Sequence, residues 1–397
     1  MSTGQADASR RVIRVGACLS LTGRFARFGV QAARGLDAWR SLDGAAELVI
    51  ADDESSPRTL ESLLPAITRR CDVLLGPYST QLMRVAGRMA ADSGALLWNH
   101  GGSGDDVEAA HPGHIVSVLT PASRYAEPFL SHVAGSQPGI RLWVTHGKGS
   151  FGRQVAAGAA GTARGLGMEA ILASAGSLPE PGDVPARWGL FCAGTFEDDV
   201  ETVLRARALP DPPAVVCAIA AGVREFGVAV TDPRGILGVG QWFPGTSGDA
   251  ELGPAEADFL AAHATGSPAV PDYPAVQAAA AAVLAAHCAR LAGSTSREVL
   301  WEAALGLKGR TLFGGFEVNA DGVQVGHETV LVRWDTGNEV ALASQAMTGV
   351  QFLAHEDTAL KAYHQTRARY LAGIPPRRAF NQIGEASSAW SAHVPPP

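Results

Sequence analysis

Lysine is nearly missing from this sequence. Of its 32 basic residues only Lys148, Lys308 and Lys361 are lysine, and 39 acidic residues leave a formal net charge of −7. A net-acidic surface gives no footing to a phosphate backbone or an anionic membrane, so nucleic acid is not an expected partner. Cysteine is sparse. Cys18, Cys71, Cys192, Cys217 and Cys288 are odd in number, widely spaced and without a C-x-x-C pair. That excludes a disulfide framework and a zinc ribbon, and leaves reduced thiols packed as small apolar residues. No run of 18 apolar residues exists; the richest, residues 278–286, is flanked by Gln277 and His287 and is expected to be a buried helix, with no membrane insertion.

Catalytic motifs are missing too. Gly147-Lys148-Gly149-Ser150 lacks the spacing of a phosphate-binding loop, and no G-x-G-x-x-G follows the first strand. Gly101-Gly102-Ser103-Gly104-Asp105 ends in Asp where a nucleophile elbow needs Gly. His111 and His114 sit in a Pro-Gly loop and read as a solvated turn rather than a metal pair. Asp53-Glu54-Ser55-Ser56-Pro57 reads as a turn and helix start, with Ser56 capping and Pro57 at the first helical position. No catalytic residue, metal ligand or cofactor is expected, and an enzyme is disfavoured.

The N-terminus carries Ser9-Arg10-Arg11, which has a twin-arginine look, and Val15-Gly16-Ala17-Cys18 loosely imitates a lipoprotein cleavage site. The apolar run between Arg14 and Arg24 is short and holds Gly, Ser and Thr, unlike a signal-peptide core. Cleavage before Cys18 would also cut the first expected strand. As the sequence stands, the expected location is cytoplasmic.

What is present is regular alternation. A chain of 397 residues exceeds the roughly 250–300 at which one core stops growing, so two lobes are expected. Compact apolar strands at 12–19, 48–51, 72–75 and 95–98 alternate with helical patterns at 24–42, 58–69 and 80–92. A second series places strands at 140–145, 170–173, 190–193, 215–220 and 236–239, with helices at 123–133, 151–166, 197–208 and 223–231. Two more helices, 254–263 and 273–291, precede a hairpin-like segment, 313–321 and 328–335, split by Asp321-Gly322. The reading is α/β, with two doubly wound parallel-sheet lobes. A helix is conceivable at 355–371 before a Pro-rich tail.

Ligands of open α/β sheets bind beyond the carboxyl ends of the strands. Two such ends carry polar groups. Gly76-Pro77-Tyr78-Ser79-Thr80 runs from a strand into a helix N-terminus, where free N–H groups and hydroxyls suit a carboxylate or amide oxygen. Trp98-Asn99-His100-Gly101-Gly102-Ser103 offers polar side chains and close backbone approach. Plain helix capping and a loose glycine loop are the alternative readings.

In this order and spacing the segments resemble the type I periplasmic binding proteins, the solute-binding components of branched-chain amino acid and amide ABC transporters. Leu21-Thr22-Gly23, Phe28-Gly29, the Asp52–Pro57 stretch, Gly76–Thr80, Leu119-Thr120-Pro121-Ala122-Ser123, Asp272–Gln277 and Phe313–Phe316 carry the likeness, over roughly residues 12–335. The resemblance implies two lobes joined by three crossovers that close on a small-molecule ligand. One lobe would be 11–120 plus 245–325, the other 121–244 plus 326–345, with 346–397 left as a C-terminal tail. It implies ligand contacts from Tyr78, Ser79, Thr80, Asn99, Gly101 and Ser103 on the first lobe, and from Ser123, Tyr125, Phe151 and Phe196 on the second. Trp242 near a crossover and Tyr273 are further candidates. An ABC permease would be the partner. Amino-acid binders of this group carry an Asp near the hinge; here Ser123 stands there beside Arg124, so a ligand ammonium lacks its partner unless another acid, such as Glu197, reaches in. Tyr78 before Ser79 resembles the amide-sensor branch, whose partner is a regulatory protein in the cytoplasm.

Overall fold

The computed structural model describes residues 11–180, 182–184, 187–267, 270–335 and 338–341. The expected tail at 346–397, with its helix at 355–371, lies outside the described residues, as do residues 1–10. The first sheet contains β1 (Ile13–Leu19), β2 (Ala46–Asp52), β3 (Val73–Leu75), β4 (Leu97–Asn99) and β5 (Ile115–Ser117), all parallel, in the order β2-β1-β3-β4-β5. Its central strands are buried on both faces, while the edge strand β2 is half-buried. Along β1, Ile13, Val15, Ala17 and Leu19 enter one core while Cys18 enters the core on the opposite face. Cys18 is fully buried, and burial pushes its thiol up to about 12, so it packs as an apolar residue inside the strand.

Helices α1 (Ala26–Asp43), α2 (Pro57–Arg70) and α3 (Thr80–Ser93) connect these strands. Ser56 caps α2, accepting from Thr59 N at 3.3 Å, with Pro57 at the first position, as the spacing suggested. Pro65, which lacks an N–H, is accommodated inside α2.

The second sheet orders β14-β13-β10-β9-β8-β6-β7. It holds β6 (Arg141–His146), β7 (Ala170–Leu172), β8 (Trp188–Ala193), β9 (Val215–Ala218), β10 (Leu237–Gly240), β13 (Val330–Asp335) and β14 (Asn338–Ala341). Strands β6 to β10 pair in parallel, and β13 and β14 add antiparallel. Helices α4 (Glu127–Ser136) and α5 (Ser150–Gly165) cover one face. Helix α6 (Phe196–Arg207) and the short α7 (Phe226–Ala229) cover the other.

After β10 the chain returns to the first sheet through α8 (Glu256–Gly266), α9 (Tyr273–Ala292) and α10 (Arg297–Gly306). Helix α9 is long and apolar enough to cross a membrane by length and composition alone. It is instead the core helix of the first lobe, buried all round except in its last turn, which explains why it has no polar face. Close packing depends on small residues: a Cβ on Gly35 of α1 would lie 2.0 Å from Ala275 O.

Three expectations need correction. The segments 313–321 and 328–335 do not form one hairpin. A small sheet instead joins β11 (Gly309–Thr311) to β12 (Gly314–Phe316), and Asp321-Gly322 turns within a loop closed by the Val318–Gln324 bridge. Val330–Asp335 then pairs with β10 of the other sheet. A turn signal is local, whereas sheet membership is decided by where the crossover delivers the strand. The helix expected at 223–231 shrinks to α7. The preceding residues, Ile219–Gly222, form a 3₁₀ turn pressed against β10, where a Cβ on Gly222 would sit 2.1 Å from Val239 O. Strand β5 and helix α10 were not anticipated, being short or lacking a distinct pattern.

Candidate ligand-binding site

The site is built at the carboxyl ends of β3 and β4. Ser79 caps α3, its Oγ accepting from Leu82 N at 3.2 Å, and its own N–H donates to Gly101 O at 2.8 Å. Its backbone sits at φ 87°, ψ 142°, a region that non-glycine residues rarely occupy and that costs on the order of 1–3 kcal/mol. Gly101 must be glycine for space: a Cβ there would lie 2.6 Å from Pro77 O and from Tyr78 Cα. Strain of this kind persists only where surrounding contacts hold it, here the bond to Gly101 and the helix cap.

Two expected ligand residues, Asn99 and Thr80, hydrogen-bond within that scaffold. Asn99 is fully buried. Its Nδ2 donates to Gly102 O and Ser117 Oγ, both at 2.7 Å, and its Oδ1 accepts from Gly101 N and Gly102 N at 3.1 and 2.9 Å. An amide with all four positions taken shapes the loop and has nothing left for a ligand. Thr80 is buried too, and its Oγ1 accepts from Gly104 N at 3.1 Å.

The aromatic groups converge. Tyr78 stacks on Phe28 of α1, centroids 4.2 Å apart and planes 12° from parallel, with Phe25 tilted beside it at 6.0 Å. Its phenol oxygen lies 2.8 Å from that of Tyr273, the first residue of α9. Tyr125, on the chain entering the second lobe, meets Phe151 edge-on at 5.5 Å. Burial raises all three phenols; Tyr125 lies near enough to raise Tyr78 and Tyr273 further, while Ser103 and Gln241 hydrogen-bond it and oppose its rise. Phe196 opens α6 behind a capping box formed by Thr195 and Asp198. The Arg27 guanidinium stands over the Phe196 ring at 4.5 Å and near Phe28 at 5.7 Å, and is ion-paired to Glu197.

A carboxylate does stand beside Ser123. Ser123 donates from its backbone N (3.1 Å) and its Oγ (2.9 Å) to Asp105 Oδ1, so the acid at the hinge is supplied by the loop after β4. Glu197 is taken by Arg27. Trp242 packs in the core of the first lobe, and its Nε1 has no partner among the described residues.

Further polar contacts join the two halves. Arg84 of α3 holds Asp106 with two bonds of 2.8 Å and donates to Ser150 Oγ at 3.0 Å, while Gln154 donates to the same carboxylate at 2.8 Å. Arg84 keeps the Asp106 carboxyl low, at about 2. Arg224, after β9, pairs with buried Asp272 at 3.0 Å. Burial raises that carboxyl and Arg224 opposes the rise. Arg27, Phe28, Asp105, Arg224 and Asp272 were missed because their residue types are ordinary on helix ends and loops; the Arg-Phe repeat from Arg24 to Phe28 was the nearest signal. Among the described residues no three His, Cys, Asp or Glu side chains gather as a metal site. The arrangement offers aromatic faces, neutral phenols and hydroxyls, and one guanidinium, which suits holding a small molecule between two walls.

No family model matches the sequence, and no curated protein matches it. Solved structures do match in fold. An ABC transporter substrate-binding protein from Desulfitobacterium hafniense in complex with Leu aligns with TM-score 0.68 at 18% identity, over 83% of this chain and 99% of that one. A branched-chain amino acid transporter substrate-binding protein from Streptococcus pneumoniae in complex with isoleucine gives 0.68 at 15%, with the same coverage. A solute-binding protein of an ABC transporter from R. palustris in complex with benzoate gives 0.65 at 17%, over 84% of this chain and 96% of that one. With two largely parallel sheets, a chain that passes back and forth between them, and aromatic groups converging at the strand ends, this protein has the type I periplasmic-binding-protein fold.

Proposed function

We propose that the chain is a non-enzymatic solute-binding protein that captures one small polar ligand between its lobes as the substrate-binding component of an ABC-type transport system. The observation that carries this reading is the aromatic cluster drawn from both halves: Phe28, Tyr78 and Tyr273 on one side, Tyr125, Phe151 and Phe196 on the other. Rings give flat apolar walls, while Ser79, Ser103 and Arg27 provide donors for a polar head. An amide, an amino acid or a related organic acid fits, and the leucine, isoleucine and benzoate complexes of the fold neighbours support that range. Closure follows only from the ligand's greater affinity for the closed state. The boundaries that go with this reading are 11–120 plus 245–325 and 121–244 plus 326–345. The transport role places the protein outside the cytoplasm, handing solute to a permease.

A thermal-shift screen of aliphatic amides, amino acids, urea and aromatic acids tests the reading, because a ligand that binds the native state raises its apparent stability. A shift from one class, lost in Tyr78→Ala, is expected; no shift across the panel overturns it. A second reading, an amide-sensing regulator in the cytoplasm, draws on the predominance of neutral phenols and hydroxyls, which suits an uncharged ligand. Cell fractionation separates the two.

A further inference from the structure

The three passages between the lobes are tied together by one residue from each. Thr120 N donates to Gln241 Oε1 at 3.2 Å, and Gln241 Nε2 donates back to Thr120 O at 3.3 Å. Thr120 Oγ1 lies 2.7 Å from His327 Nδ1, and His327 Nε2 lies 3.2 Å from Phe313 O. The His327 and Phe313 rings stack at 4.2 Å, 3° from parallel. All four residues are buried.

Beside this latch, distinct from the aromatic cluster, lies a cavity of about 300 Å³ lined by Gln241, Ser247, Arg310, Phe313, His327 and Glu328, among others. That volume is at the lower end of the range for small-molecule sites. Two charges face it with no opposite partner among the described residues. Arg310 donates to Ser247 O at 3.2 Å and has no carboxylate among the described ion pairs; Glu328 has no cation among them. Close by in the chain, Lys308 is paired with Glu317. Arg310 and Glu328 share one cavity without pairing with each other. Ser247 adds a buried hydroxyl with no hydrogen-bond partner among the described residues.

A simple anion would gain from Arg310 and be opposed by Glu328, and a simple cation would meet the reverse. A molecule bearing both charges satisfies both at once. The stacked Phe313 and His327 rings supply a flat wall for the carbons between them. We infer that this hinge cavity is a second ligand site, for a small zwitterion whose carboxylate meets Arg310 and whose ammonium meets Glu328. The site does not depend on what the cleft binds. Its occupant would touch the second and third crossovers together, so binding would be coupled to lobe movement.

Isothermal titration of the full chain with 4-aminobutyrate tests the site, with butyrate and butylamine as single-charge controls. The expected result is binding of the zwitterion that weakens by about tenfold or more in both Arg310→Ala and Glu328→Gln, the scale of one charge-assisted hydrogen bond, and by much less in Phe196→Ala. Both substituted residues are exposed, so folding is not at stake. No heat from 4-aminobutyrate up to about 10 mM, a very weak limit, overturns the inference. So does butyrate binding as tightly, or a loss in Phe196→Ala with none in Arg310→Ala.

Discussion

The phenol oxygens of Tyr78 and Tyr273 meet at 2.8 Å across a sequence separation of 195 residues. One follows β3 and the other opens α9, so the bond ties the candidate ligand loop to the core helix of the first lobe. Stacking of Tyr78 on Phe28 fixes the ring from its other side. The arrangement leaves the ring little freedom to lose when a ligand arrives, which favours binding.

Tyr273→Phe keeps the ring and removes the bond. A net loss of about 1 kcal/mol is expected for one hydrogen bond of this kind, seen as a lower urea midpoint with an unchanged slope. Affinity for any cleft ligand should fall with it. If midpoint and affinity both match the parent protein, the bond holds nothing in place.

Ser79 separates strain from capping. Ser79→Gly relieves the φ of 87°, worth about 1–3 kcal/mol, and costs only a few tenths through the cap. Ser79→Ala keeps the strain and loses the cap, at about 1 kcal/mol. Melting temperatures should therefore rank Gly above Ser above Ala, while both variants weaken ligand binding. A glycine variant that melts below the parent contradicts this account.

Glu108 is nearly fully buried and receives the Ser117 hydroxyl; burial pushes its carboxyl up to about 7. The unfolded chain titrates near 4.3, so between pH of about 4 and 7 the native state holds more protons. Its contribution to stability is then fully present below about pH 4 and is lost as pH rises toward 7. Glu108→Gln, which cannot ionise, should show a smaller fall in stability over that window than the parent, read from urea unfolding at pH 4.5 and 7.5. Parallel pH profiles would show that the carboxyl is not raised.

The two cross-lobe ion pairs should differ. Glu197 is 68% exposed on its side chain, and such surface pairs are worth about 0–1 kcal/mol, so Glu197→Gln should barely move the melting temperature. Asp272, 11% exposed, holds Arg224 at 3.0 Å, and removing one partner of a largely buried pair costs up to about 3–5 kcal/mol. Asp272→Asn should be the more destabilising by a wide margin in thermal unfolding, and equal effects would place both pairs in solvent.

The architecture was readable because its signals are local. Apolar runs with period 2 or 3.6, the Ser56-Pro57 start of α2 and the all-apolar α9 each need only a few neighbouring residues, and the two-sheet α/β architecture followed from their alternation. The sequence by itself also determined that residues 13–19 form a strand, apolar but for Arg14.

Tertiary structure alone decided which side chains remain available. Asn99 looked like a ligand residue and is fully used by its own loop, because hydrogen-bond capacity is finite and is claimed first by buried backbone groups. Ser123 looked like a missing acid until Asp105, 18 residues away, was placed against it. Val330–Asp335 joined β10 because a crossover latched by Thr120, Gln241 and His327 carried it there. Each of these outcomes depends on contacts between residues distant in the chain, and no local pattern encodes a distance.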